Sequence, residues 1–341
     1  MRILITGSAG FIGYHLSKRL SSQGIEVFGI DSLNSYYDIN LKKARLTDCG
    51  IHTPTYGKEC ISTLYPTYRF YQADLCDRET MENIFKTGTF DCVVNLAAQA
   101  GVRYSLEHPE TYVESNVAGY LNILELCRHY NCPRLIYASS SSVYGNSSEV
   151  PFREDARVDH PVSIYAATKK SNELMAYTYS LLYRLETIGL RFFTVYGPWG
   201  RPDMAPILFA ESIWNDQPIK VFNHGDLSRD FTYIDDIIEG IVKIIDRPGL
   251  VREDTAGAPA VVYNIGHGSP VSLMDFIGIL EQNLGKTARK EYVGMQPGDV
   301  YQTWADTTKL YTDYHYMPST SLEEGIHRFA EWFKKLKHHA I

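Results

Sequence analysis

Tyr165 and Lys169 stand four residues apart in Tyr165-Ala166-Ala167-Thr168-Lys169. On a helix that spacing puts both side chains on one face, an ammonium beside a phenol. An ordinary tyrosine, with a pKa of about 10, is a poor base near neutrality. A neighbouring cation favours its phenolate and makes it a usable one. The spacing alone is weak, because a chain with 25 tyrosines meets it roughly once by chance. Its position strengthens it. Upstream, Ser139-Ser140-Ser141-Ser142-Val143-Tyr144-Gly145 closes a predicted strand. There Ser140 can share the proton of a substrate hydroxyl held against Tyr165. Tyr165, Lys169 and Ser140 are therefore the candidate catalytic set, for proton removal from a carbinol that is losing a hydride.

Such chemistry needs a hydride acceptor, and the chain opens with a place for one. Gly7-Ser8-Ala9-Gly10-Phe11-Ile12-Gly13 follows an apolar strand and starts a helix. Gly7, Gly10 and Gly13 permit a tight turn, and the helix N-terminus offers amides and positive dipole to a pyrophosphate. The spacing is GxxGxxG, not the more general GxGxxG. Asp31 ends the second predicted strand, where a carboxylate accepts from adenosine ribose hydroxyls. No arginine follows it directly to receive a 2′-phosphate, so NAD is expected over NADP. Asp74 and Leu75, then Leu96, Ala97 and Ala98, fall at the ends of the next two strands, where open α/β sheets bind ligands. Asn116, with Phe11 and Ile12, completes the expected cofactor set alongside Tyr165 and Lys169.

The elements that must position these groups are legible as a βαβ rhythm. Strands are predicted at 2–6, 26–30, 69–73, 92–96, 134–138 and 190–195, and helices at 10–22, 40–47, 78–85, 111–130 and 164–184. The expectation is an α/β fold: a doubly wound parallel Rossmann sheet with a second, smaller α/β substrate lobe. Residues 1–195 would form the dinucleotide domain, with 228–270 partly returning to it; 196–227 and 271–341 would form the lobe. Pro198, Pro202 and Pro206 exclude a continuous helix after Tyr196-Gly197. Later helices are expected near 207–215, 234–246, 273–283 and 322–335, with strands near 219–222 and 261–265. The stretch 48–68 reads as an irregular connection.

The bulk numbers agree with a soluble two-lobed protein. At 341 residues the chain is 44% hydrophobic and 21% charged, with no apolar run approaching the roughly 18 residues of a membrane span. Its first residues already belong to a strand, which leaves no room for a signal peptide. A net charge of −7 argues against nucleic acid as a partner. Cys49, Cys60, Cys76, Cys92, Cys127 and Cys132 show no paired spacing, so free thiols in a reducing cytoplasm are expected, and no metal.

Taken together, the GxxGxxG loop, Asp31, the Ser-Ser-Val-Tyr-Gly segment, Tyr165/Lys169 and Arg191-Phe192-Phe193-Thr194-Val195-Tyr196-Gly197-Pro198 resemble the extended short-chain dehydrogenase/reductase family along essentially the whole chain. The resemblance implies a UDP-sugar substrate, oxidation at C4 of the hexose, NAD held tightly and recycled, and pairing of helices 111–130 and 164–184 in a homodimer. Similar dehydratases carry an aspartate and a glutamate where this chain has Ser141 and Ser142. Those acids protonate the leaving hydroxyl and remove the C5 proton, which serines do poorly. Related decarboxylases place a glutamate at the position of Ser142. Gly101-Val102-Arg103-Tyr104-Ser105 and Tyr196–Ala205 are similar to the subfamily that epimerises UDP-glucuronate, without decarboxylation. In that reading Ser141 and Ser142 line the sugar, Arg201 is the first choice to grip its carboxylate bidentately, and Arg103 the second. The resemblance also puts Thr194, Arg229 and Asp299 near the UDP group, with Val221 packing on uracil. The alternatives are an epimerase of a neutral UDP-hexose, a UDP-glucuronate decarboxylase, and a dinucleotide sensor that has lost catalysis.

Overall fold

The computed structural model describes residues 1–296 and 298–338. Pro297 lies outside them. Four strands near the N-terminal half are buried on both faces because each alternates two sets of apolar side chains. Ile3 and Ile5 join one core with Val94 and Ile136; Leu4 joins another with Val93 and Leu135. A strand apolar on both sides has to be covered by helices on both sides, as parallel sheets are.

In chain order the elements begin β1 (Arg2–Thr6), α1 (Phe11–Ser22), β2 (Glu26–Asp31), α2 (Ile39–Asp48), β3 (Glu59–Ile61), β4 (Tyr68–Gln72), α3 (Arg78–Lys86) and β5 (Cys92–Asn95). Two single-turn helices, α4 (Tyr104–Glu107) and α5 (Pro109–Tyr112), lead through a π-helical turn at Val113–Ala118 into α6 (Gly119–His129). Then come β6 (Arg134–Ser140), α7 (Ile164–Tyr183), β7 (Glu186–Phe192) and β8 (Thr194–Tyr196). The C-terminal part holds α8 (Ala205–Trp214), β9 (Pro218–Val221), β10 (Ser228–Tyr233), α9 (Ile234–Ile245), β11 (Ala260–Ile265) and β12 (Pro270–Ser272). It ends with α10 (Leu273–Leu284), β13 (Arg289–Tyr292), α11 (Thr308–Tyr314) and α12 (Leu322–His338).

The main sheet runs β11-β7-β6-β5-β1-β2-β4-β3, parallel except for β3 at one edge. From β1 the chain winds outward in both directions, so the switch point lies between β1 and β5, where ligands of open α/β sheets bind. Strand β8 leaves this sheet and joins β10 and β12; β9 pairs with β13. The late strand β11 returns to pair with β7, and α9 packs on α1.

Several expected elements differ. The single strand at 190–195 starts earlier, at Glu186, and divides at Phe193, sending Thr194–Tyr196 to the small sheet. The single helix at 111–130 is interrupted by the π turn. Within 48–68, expected to be irregular, β3 pairs antiparallel with β4. Strands β10, β12 and β13, the single-turn helices and α11 were not anticipated.

Candidate active site

One cleft at the carboxyl ends of β1, β2, β5, β6 and β7 collects nearly all of the candidate residues. Its dinucleotide end is lined by Gly7, Gly10, Phe11, Ile12, Gly13, Asp31, Asp74, Leu75 and Leu96 to Ala98. Gly7 sits at φ +69, and a Cβ there would lie 2.8 Å from the Ala97 amide nitrogen; one on Gly13 would lie 2.1 Å from the Gly7 carbonyl oxygen. The turn is therefore restricted to glycine by contact as well as by dihedral. Asp31 accepts from the amides of Ala9 (3.2 Å) and Leu33 (2.9 Å) and from Lys42 Nζ (3.2 Å), which also donates to Asn34. Lys42 was not anticipated: it reaches Asp31 from the next helix, so no local motif marks it. These features fit a dinucleotide: a backbone cradle without side chains, and a buried carboxylate beyond it.

At the catalytic end, Ser163 caps α7, its Oγ accepting from the Ala166 amide at 3.1 Å. This fixes the first turn, which carries Tyr165. Lys169, one turn on, is buried and donates to the Ala138 carbonyl at 2.9 Å. Burial alone pulls its ammonium down to about 8. Burial pushes the Tyr165 phenol up; a hydrogen bond with Ser140 and the charge of Arg201 pull it back, and Asp203 adds to the rise. Lys169 Nζ lies 5.9 Å from the Tyr165 ring centre and donates to the β6 backbone, while Arg201 adds a second charge that lowers the phenol, whose net shift stays upward.

The serine run lies at the end of β6. Ser140 Oγ donates to Ser142 Oγ at 3.0 Å, while Ser139, Ser141 and Ser142 line the cleft. Ser139 Oγ donates to Glu173, which is held bidentately by Arg191 at 2.8 and 2.9 Å. This buried pair anchors β6, β7 and α7 directly behind the serines.

Arg201, in the loop after β8, points into the cleft near Tyr165. Its Nε and Nη2 donate to the two oxygens of Asp203 at 3.1 and 2.5 Å, and Tyr36 donates to Asp203 at 3.1 Å. Burial works against the Arg201 charge, but the Asp203 carboxylate outweighs it and the net shift is upward. Only one edge of the guanidinium is engaged; Nη1 makes no hydrogen bond among the described residues. Thr194, Arg229 and Asp299 line the cleft's outer end. Arg229 and Asp299 are paired with each other at 2.5 Å, with Arg229 also donating to the Ser228 and Tyr301 carbonyls.

Besides Ser140, which is buried and absent from the cleft lining, three expected site residues lie elsewhere. Val221 is fully buried in the main core because its strand packs that face inward; its neighbour Phe222 is partly exposed. Arg103 is exposed, its guanidinium 5.3 Å from the Phe222 ring centre, outside the cleft lining. Asn116 sits behind the wall, accepting from the Gln99 amide at 2.7 Å and donating to the Gln99 carbonyl at 3.0 Å. It positions the loop after β5 and does not line the cleft. Asp203, Tyr36 and Ser163 line the site or brace it and were missed; only the Ser163 cap carried a readable signal, a serine just before a helical run.

Residues 3–266 match the model of the NAD dependent epimerase/dehydratase family. The chain is 50% identical to protein CapI of Staphylococcus aureus, over 98% of each. It is 43% identical to a probable UDP-glucuronate 4-epimerase of Rhizobium meliloti, over 98% of this chain and 97% of that one. Among solved structures, UDP-glucuronic acid 4-epimerase of Bacillus cereus, in complex with UDP-glucuronic acid and NAD, superposes with a TM-score of 0.86 at 33% identity, covering 98% of this chain and all of that one (100%).

Proposed function

The chain belongs to the NAD-dependent epimerase/dehydratase family, and on that premise we propose that it interconverts UDP-glucuronate and UDP-galacturonate by inverting C4 through a transient 4-keto sugar. It is an NAD-dependent nucleotide-sugar epimerase; the carboxylated substrate is the finer step. One observation carries that step: a guanidinium, Arg201, projects into the cleft beside Tyr165 with a free edge, and serines stand where an acid–base pair would otherwise drive elimination. The UDP-glucuronate 4-epimerase relatives support the same substrate.

NAD, which the glycine turn, Asp31 and Lys169 would hold, would supply a reversible hydride acceptor for C4. Tyr165 takes the C4 hydroxyl proton, with Ser140 sharing it, and gives it back on the return step. Oxidation at C4 turns a glucuronate into a β-keto acid, which loses CO₂ when the carboxyl bond lines up with the carbonyl π system. Arg201 holds the carboxylate out of that alignment, and Ser141 and Ser142 donate to it without offering a base. Thr194 and the Arg229–Asp299 pair would receive the nucleotide, Arg229 turning to the pyrophosphate and Asp299 to a ribose hydroxyl. Six unpaired cysteines support a cytoplasmic setting.

Proton NMR of the purified protein with UDP-glucuronate and no added NAD tests the reading. UDP-galacturonate should accumulate to a constant ratio with the carboxyl carbon retained. UDP-xylose as the main product would make the chain a decarboxylase. Faster turnover of UDP-glucose than of UDP-glucuronate would make it a neutral-hexose epimerase.

A further inference from the structure

Arg45 is the largest charged side chain with no solvent exposure at all, at 0%. It forms no ion pair among the described residues and its Nε has no hydrogen-bond partner, although burying a charge is costly unless it is paired and hydrogen-bonded. Its two Nη groups are both engaged. From α2 its Nη1 donates to the Ala9 carbonyl, inside the glycine turn, at 2.9 Å, and to the Tyr37 hydroxyl at 2.8 Å. Its Nη2 donates to the carbonyls of Trp199 (2.6 Å) and Gly200 (3.2 Å). Those two residues immediately precede Arg201. Trp199 holds φ +62, a conformation that non-glycine residues adopt at a cost. The same residue, Ala9, gives its amide to Asp31. A second tether reaches the loop from α1, where His15 Nε2 lies 2.9 Å from the Pro198 carbonyl.

We propose that Arg45 is a positioning residue that sets the substrate's carboxylate clamp relative to the cofactor. One planar guanidinium grips both the turn that receives the dinucleotide and the loop that aims Arg201. The fork of arginine presents a separate nitrogen to each loop; an ammonium would have to serve both from a single point. The sequence offered no sign of this, because Arg45 lies in an ordinary amphipathic helix far from either motif. The inference rests on the proposed role of Arg201 toward a sugar carboxylate.

The test compares wild type with Arg45→Lys in the NAD-loaded protein, using three readouts: KM for UDP-glucuronate, affinity for UDP, and labelled CO₂ released per epimerisation from carboxyl-labelled substrate. Arg45→Lys should raise the KM on the order of tenfold, leave UDP affinity within about twofold, and increase CO₂ release several-fold. In an Arg201→Ala background the same change should have no further effect on discrimination between UDP-glucuronate and UDP. Parallel loss of both affinities, or an undiminished effect without Arg201, would overturn the proposal. Should Arg45 variants not fold, His15→Leu loosens the same loop at Pro198 and should give the same selective loss; unchanged discrimination there would overturn it equally. A wild-type protein that does not bind UDP-glucuronate more tightly than UDP would instead sink the functional reading itself.

Discussion

At the level of single residues, a charge that lowers the Tyr165 phenol comes from farther along the chain than its sequence neighbourhood suggests. Helical spacing places Lys169 on the right face, yet its ammonium turns to the Ala138 carbonyl, and the charge acting on the phenol comes from Arg201, 36 positions later. Tyr165→Phe should cut turnover by about 10²–10⁴-fold while the protein still purifies with NAD; near-normal turnover would remove Tyr165 from the chemistry. Lys169 makes a separate prediction. Burial holds it near 8 against an ordinary 10.5. Between those values the unfolded chain binds a proton that the folded chain lacks, so stability rises with pH across that window; below about 8 the penalty is fully present. Lys169→Met should flatten that rise, which is at most about 1.4 kcal/mol per pH unit, in urea unfolding at pH 8 and pH 10. The Tyr165–Lys169 spacing, the serine run and the glycine turn were readable because each is a local pattern. Lys42, Arg45, Asp203 and Tyr36 were not: Arg45 and Tyr36 meet partners from distant segments, Lys42 reaches back from the next helix, and Asp203 sits in an irregular loop with no readable pattern.

At the level of elements, α7 presents the tyrosine and β6 presents the serines, and the Arg191–Glu173 pair locks the two together through Ser139. The start of α7 is set by its Ser163 cap. Ser163→Ala should cost about 1 kcal/mol in thermal unfolding and lower kcat as well, since the frayed turn is the one carrying Tyr165; an unchanged kcat would show that the cap matters to the helix alone. The parallel strands of the first half were legible because their apolar runs are separated by amphipathic helices. Strand β10 was not. It carries Asp230, fully buried and accepting from the amides of His267, Gly268 and Ala305 at 2.8 to 3.0 Å. A charged residue in a strand reads as surface, whereas here it knits two loops beside Arg229. The π turn at Val113–Ala118 was hidden for a similar reason: the apolar period continues through it while Asn116 is turned to the Gln99 backbone.

At the scale of the whole molecule, the net charge of −7 does nothing to attract an anionic sugar nucleotide, and in the proposed reading the attraction comes from cations that line the cleft, Arg201 and Arg229 among them. Among the described residues no helix is long and apolar enough to cross a membrane, yet α6 and α7 expose Leu121 (40%), Leu174 (58%) and Leu182 (62%). A second copy packing these helices would cover them, the homodimer expected from the sequence. Leu182→Glu should convert a dimer to a folded monomer in sedimentation analysis; a wild-type monomer would contradict this. The central claim concerns the path of hydrogen at C4, and UDP-glucuronate carrying deuterium there tests it most directly. Oxidation and re-reduction within one closed site predict UDP-galacturonate that keeps its deuterium at C4 in ordinary water. Loss of that label to solvent during epimerisation would contradict the account.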